Sequence, residues 1–292
     1  MRRARSSEGS PVMAGSLPMS RLYGAPPRHG PRAPRLCIVA FSASQARDVA
    51  LPLAQAAYTV MSGAVPALPP GFVQTALIEA DHAQLAALPD QHPANAMAKD
   101  TNIFGLMGHD AATRTAYLSF RGSSDVADWI ADFDFLPAPY LPVVGFGQVH
   151  AGFQDIYGCI RASIAANLDA ATRGCENILV TGHSLGAALA VLAAPDIARI
   201  RLAGPARTIE PRLTTFGGPR VGLPDFAAAF NAAIECCYRV VNFLDIVPLL
   251  PPSPYVHVGA EIAVDSGGAI DIGWRHSLAG YHAGLAALPA QP

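Results

Sequence analysis

Lysine is almost missing from this chain: Lys99 is the only one in 292 residues. Charge as a whole is sparse, 14% of residues against 51% hydrophobic, a balance that belongs to a globular protein with a sizeable core. Positive charge is scarcer still beyond the start, because residues 1–35 hold seven Arg and one acid and leave thirteen basic against twenty-one acidic side chains. An acidic body argues against nucleic acid as its partner. No uninterrupted apolar run reaches the roughly 18 residues that cross a bilayer, since LGAALAVLAAP stops at Asp196. The five cysteines show no C-x-x-C or zinc spacing, and their odd number does not resemble a disulfide framework, so they read as small buried apolar residues. H-E-x-x-H is absent and no histidine pair has ligand spacing; neither a metal nor a cofactor is expected. Basic residues precede LCIVAF, but that run is short and late for a secretion signal, so the expected location is cytoplasmic or secreted by a less obvious route.

What is present divides the chain in two. Residues 1–35, rich in Arg, Pro and Gly, read as a disordered tail, and 36–292 as one domain. A helical pattern starts near 44, and ALPLAQAAYTVM places Leu53, Ala56, Ala57 and Val60 on one face. Strand-like runs follow at 115–121, 177–182, 212–217, 238–243 and 255–264, separated by helical stretches at 150–172, 184–203 and 222–235. This alternation predicts an α/β fold, a mostly parallel central sheet with helices on both faces.

The tripeptide HSL occurs twice. In VTGHSLGAALAVLAAP, a β-branched run enters G-x-S-x-G and then an Ala/Leu-rich helix. That is the setting of a nucleophile elbow, where a sharp turn lifts the Ser184 hydroxyl clear of the sheet and glycines on either side let strand and helix pack closely. In WRHSLAGYHAGL the glycines are missing, so Ser277 reads as a helix-start residue and His276 as the general base. An acid must orient that imidazole. Asp245, in the loop just after the run YRVVNF, is the leading choice, with Asp265 and Asp271 as rivals. His257 and His282 compete for the base, although His257 alternates within a strand-like run that favours a structural hydrogen bond. The chain order Ser184, Asp245, His276 is that of α/β-hydrolases.

Acyl transfer needs donors aimed at the developing oxyanion. One is the backbone N–H of Leu185, and the second is Ser123 in SFRGSS, which has a tight turn as its simpler explanation. Directly after it, DVADWIADFDF places Val126, Trp129, Ile130 and Phe133 at i, i+3, i+4 and i+7 with acids on another side, the pattern of a short amphipathic helix. A core-packed helix shows the same spacing. Its acidic outer face and its place over the site favour a lid.

The ordered series SFRGSSDVADWIADFDF, VHAGFQDIY, VTGHSLGAALA, TFGGPRVG, NFLDIVPLLPP, YVHVGAEI and HSLAGY, from about 100 to 285, resembles the class 3 lipase family. The resemblance implies the α/β-hydrolase fold with a short helical lid, Ser184, Asp245 and His276 as triad, Ser123 and Leu185 at the oxyanion, and Trp129 on the lid. The expected function is serine carboxylic ester hydrolysis, with lipid esters such as acylglycerols as substrate and the lipid–water interface as partner. A phospholipase, a polyester depolymerase or an acyltransferase would use the same triad, and a non-catalytic binding module on this scaffold is the remaining alternative. Acyl length and oligomeric state are not written in the chain.

Overall fold

The computed structural model describes residues 40–90, 92–99, 101–124, 135–202 and 208–289. The tail at 1–35 and the lid residues Val126, Trp129, Ile130 and Phe133 lie outside the described residues. Seven strands make one sheet: β1 (Phe72–Glu79), β2 (Ile103–Asp110), β3 (Thr115–Phe120), β6 (Asn177–His183), β7 (Glu210–Phe216), β8 (Cys236–Asn242) and β9 (Ala260–Val264), side by side in that order. A separate two-stranded ribbon pairs β4 (Pro137–Pro139) with β5 (Gln148–His150). The joints β1/β2 and β2/β3 are antiparallel, and every pairing from β3 to β9 is parallel. The mostly parallel sheet expected from the sequence is therefore present, with an antiparallel edge that the periodicity did not reveal.

Successive side chains on a strand face opposite sides, and the two apolar cores follow that rule. Ala116, Leu118 and Phe120 of β3, with Ile178 and Val180 of β6, enter one core beside the long helices. Those helices are α4 (Ala151–Ala171), α5 (Leu185–Ile197) and α6 (Pro224–Ala233). The intervening Tyr117 and Leu179 enter the other core, with α1 (Leu51–Met61) and α8 (Leu278–Ala286). α1 buries Leu53, Ala56, Ala57 and Val60, the face its spacing predicts. Two short helices, α2 (His82–Ala87) and α3 (Pro93–Ala98), fill the β1–β2 connection, and α7 (Ile272–Arg275) precedes α8. No helix among the described residues is long and apolar enough to cross a membrane.

Two readings need correction. Only residues 260–264 of the run 255–264 form a sheet strand, while Val256 makes an isolated bridge to Gly222. Cys236 is disulfide-bonded, so the expectation of five unlinked apolar cysteines fails there; Cys159, Cys175 and Cys237 are buried thiols. An odd count conceals one bridge among unlinked thiols.

α5 is buried along its whole length, and its Asp196 is enclosed with it. An isolated buried carboxylate is costly, and this one takes a two-point contact from Arg161 of α4 at 2.7 and 3.0 Å plus the Tyr157 hydroxyl at 2.8 Å. Removing Asp196 takes away the carboxylate to which Arg161 and Tyr157 donate. Asp196→Ala is expected to lower unfolding stability by about 3 to 5 kcal/mol, read as a fall in the urea midpoint.

Candidate active site

The site is assembled at the carboxyl ends of the parallel strands. β6 ends at His183 and α5 begins at Leu185, leaving one residue to reverse the chain. That residue, Ser184, has φ 58° and ψ −129°, a region that L residues enter only when the surroundings impose it. The surroundings do so by close approach: a Cβ on Gly182 would meet the backbone of Gly186, and one on Gly186 would meet the carbonyl of Phe120. The Ser184 N–H is held by the Phe216 carbonyl at 2.9 Å. Ser184 is the N-cap of α5 and its hydroxyl makes no cap hydrogen bond, while the first N–H groups of the helix, Leu185 included, have no intrahelical acceptor.

β8 ends at Asn242, and Leu244 at φ 65° turns the chain so that Asp245 points inward, 4% exposed. Its Oδ1 accepts the Val247 N–H at 3.0 Å. Its Oδ2 accepts two donors, His276 Nδ1–H at 2.8 Å and the Tyr281 hydroxyl at 2.6 Å. With the proton on Nδ1, His276 presents a lone pair at Nε2. That nitrogen and Ser184 Oγ are both buried and both lack a hydrogen-bond partner among the described residues. Only a glycine fits at position 217, where φ is 57° and a Cβ would lie 2.9 Å from the Tyr281 hydroxyl, 3.0 Å from Asp245 Oδ2 and 3.1 Å from His276 Cε1.

The loop after β3 closes the other side. Gly122 sits so near the elbow that a Cβ on it would come within 3.1 Å of Ser184 Cβ. Arg121 is buried and fixes this loop by donating to the carbonyls of Ile103 (2.6 Å), Met97 (2.7 Å) and Gly122 (3.3 Å), its guanidinium 4.7 Å from the Phe104 ring centre. Burial lowers its pKa to about 10. Ser123, Tyr58, His183 and His276 line a common cleft of about 650 Å³.

Residues 117–255 match the family described as lipase (class 3). Over that segment the chain is similar to class 3 lipases. It is 40% identical over 166 residues to a lipase of Rhizomucor miehei, covering 56% of this chain and 44% of that protein. It is 37% identical over 171 residues to a secreted mono- and diacylglycerol lipase of Fusarium solani, covering 57% and 49%. The chain thus spans less than half the length of these curated relatives. The solved Rhizomucor miehei triacylglyceride lipase superposes with a TM-score of 0.59 at 28% identity, covering 76% of this chain and 79% of that one, in keeping with the α/β-hydrolase fold.

The rivals for the site have other partners. Asp265 is largely exposed and pairs with Arg275 at 2.6 Å, while Asp271 caps α7 through the Trp274 N–H at 3.0 Å. His282 is exposed on α8. Ser277 caps α8 by accepting the Gly280 N–H at 2.9 Å, the helix-start role expected of it. Tyr58, Tyr281 and Gly217 were not among the site residues read from the sequence; Tyr281 stands in HSLAGY, but nothing along the chain links Tyr58 to a site 125 residues away.

His257 donates from Nε2 to the Pro248 carbonyl at 2.7 Å, the structural bond its alternation predicts. Burial first, then Arg239, lowers its pKa from 6.5 to about 4. Its neutral form is thus favoured in the folded chain, and the unfolded chain takes up the proton first. The associated stability is present above pH 6.5 and is lost as pH falls from 6.5 towards 4. His183, also lowered by burial, adds to the same trend. Urea midpoints measured between pH 8 and 4 are expected to fall through that window, and to fall less steeply in His257→Gln.

Proposed function

We propose that this chain is a class 3 lipase, a serine carboxylic ester hydrolase acting on acylglycerols or similar lipid esters, with Ser184 as nucleophile, His276 as base and Asp245 as the acid that orients it. The observation that carries this reading is the Asp245–His276 hydrogen bond beside a strained serine, with Ser184 Oγ and His276 Nε2 left as buried, unpartnered atoms. Native proteins satisfy nearly all such groups, so two orphans in one site call for a functional account.

His276 Nε2 takes the Ser184 proton as Oγ bonds to the ester carbonyl carbon, and the carbonyl electron pair moves onto oxygen. The N–H of Leu185 and the N–H and hydroxyl of Ser123 are assigned as the donors to that oxyanion, each donor being worth about 3 to 4 kcal/mol in such sites. Collapse breaks the bond to the alcohol, which leaves with the proton from His276, and an acyl-enzyme remains. Water, deprotonated by His276, repeats the sequence and releases the acid. Asp245 keeps the proton on Nδ1 and stabilises the imidazolium formed in each half.

A lipid surface as partner is supported by the apolar side chains around the site. Phe243, Leu244 and Ile246 flank Asp245, and Ile270 and Ile272 precede His276, all at least a third exposed. The spacing of Val126, Trp129, Ile130 and Phe133 supports a lid next to them. Hydrolysis of a short dissolved ester and of a long-chain triglyceride, followed across the solubility limit, tests the reading. Wild type is expected to show a rise in rate when an interface forms, and Ser184→Ala a loss of at least about 10⁴-fold in kcat on both. Equal rates for the two proteins would end the proposal, and activity on dissolved esters alone would reduce it to an esterase.

A further inference from the structure

His183 occupies the variable position of G-x-S-x-G, and nothing in the chemistry above requires a histidine there. Its contacts are nonetheless specific. Nε2 lies 2.6 Å from the backbone carbonyl of His276, which can only accept, so the His183 proton is on Nε2. Nδ1 is then a lone pair, and the Tyr58 hydroxyl donates to it at 2.9 Å. The same hydroxyl lies against Gly122, next to Ser123, where a Cβ would collide with it. One chain of contacts therefore runs from the oxyanion loop to Tyr58 and, through two hydrogen bonds, by way of the residue before the nucleophile to the backbone of the base. The two imidazoles are 4.5 Å apart between ring centres and tilted by 38°.

We infer that Tyr58 and His183 are positioning residues that set the oxyanion loop, the elbow and His276 relative to one another and hold a neutral imidazole against the base. The inference rests on His276 as base. The need for neutrality is electrostatic: His276 must carry a positive charge in each half-reaction, and a second cation 4.5 Å away would oppose it. The ionisable groups around His183 are Tyr58 from α1, His276 and Tyr281 from the C-terminal segment, Asp245 behind His276, and Arg121 beyond Tyr58. Asp245 is committed to His276 and Tyr281, so among the described residues no carboxylate reaches the His183 ring to favour its charged form. Burial and the neighbouring His276 act in the same direction, holding the His183 pKa well below its ordinary value.

The sign of the test follows from what the Tyr58 hydroxyl stabilises. It donates to a lone pair that only the neutral ring possesses, so removing it raises the tendency of His183 to take a proton. In Tyr58→Phe, the acid limb of kcat/KM on a dissolved ester is expected to move up by about half a pH unit or more, with kcat about 5- to 10-fold lower at the optimum. Adding His183→Gln should return the limb to its wild-type position, because the Gln amide can donate to the His276 carbonyl and cannot titrate. ¹⁵N resonances of the histidine rings give a readout that does not depend on turnover: His183 should remain the neutral Nε2–H form across the pH range of activity in wild type and titrate within that range in Tyr58→Phe. A rate scaled down with an unmoved limb and an unchanged His183 spectrum would overturn the inference. If wild type hydrolyses no ester, the proposed function fails, and the ring spectra decide the positioning of His183 separately.

Discussion

A single strained turn sets the conditions for everything else in this site. Between β6 and α5 the chain must reverse within one residue, and Ser184 accepts a positive φ because the flanking glycines bring helix, strand and the neighbouring β3 backbone into contact. Side chains at 182 or 186 would collide with main chain rather than with movable atoms, so the reversal cannot relax without separating α5 from the sheet. α5 in turn is enclosed on all sides and anchored by Asp196 to α4. Rigidity at the nucleophile is thus supported by the packing of the whole parallel half of the fold.

The base is held by different means. His276 ends a four-residue helix, too short to be stable by itself, and is fixed by polar bonds from several directions. Asp245 holds its ring, the Asn242 side chain holds the adjacent Arg275 carbonyl at 2.8 Å, and Arg275 reaches back to Ala269 and Asp265. His183 adds a bond to its backbone. Elements from β8, β6 and the C-terminal segment therefore converge on His276, while its outer ring nitrogen has no partner among the described residues. Holding the base from several sides while leaving the two reacting atoms unpartnered is what an acyl-transfer site requires.

Local features of this site were legible in the chain. The elbow, the acid after β8 and the late histidine each have a signal of short range: small residues around a serine, a β-branched run ending in an acid, a repeated HSL. β1 and β2 escaped notice because their pattern is broken. β2 carries Gly105 and Gly108, which read as turn residues but serve close strand approach, since a Cβ on either would meet neighbouring backbone. β1 alternates poorly, its FVQTALIE being exposed over much of its length. Tyr58 was hidden for another reason. It stands on a helix whose spacing speaks only for its apolar face, and its partner is reached through the fold rather than along the chain. The linkage of Cys236 was concealed by an odd cysteine count that argued against any bridge.

The most direct test of the account is covalent trapping. Incubation with an activated alkyl phosphonate, followed by peptide mass spectrometry, asks which side chain is a nucleophile and whether the polar cluster makes it one. The account predicts a single adduct on Ser184, formed at least about 10³-fold more slowly in His276→Ala. An adduct on another residue, or equal labelling without His276, would contradict it.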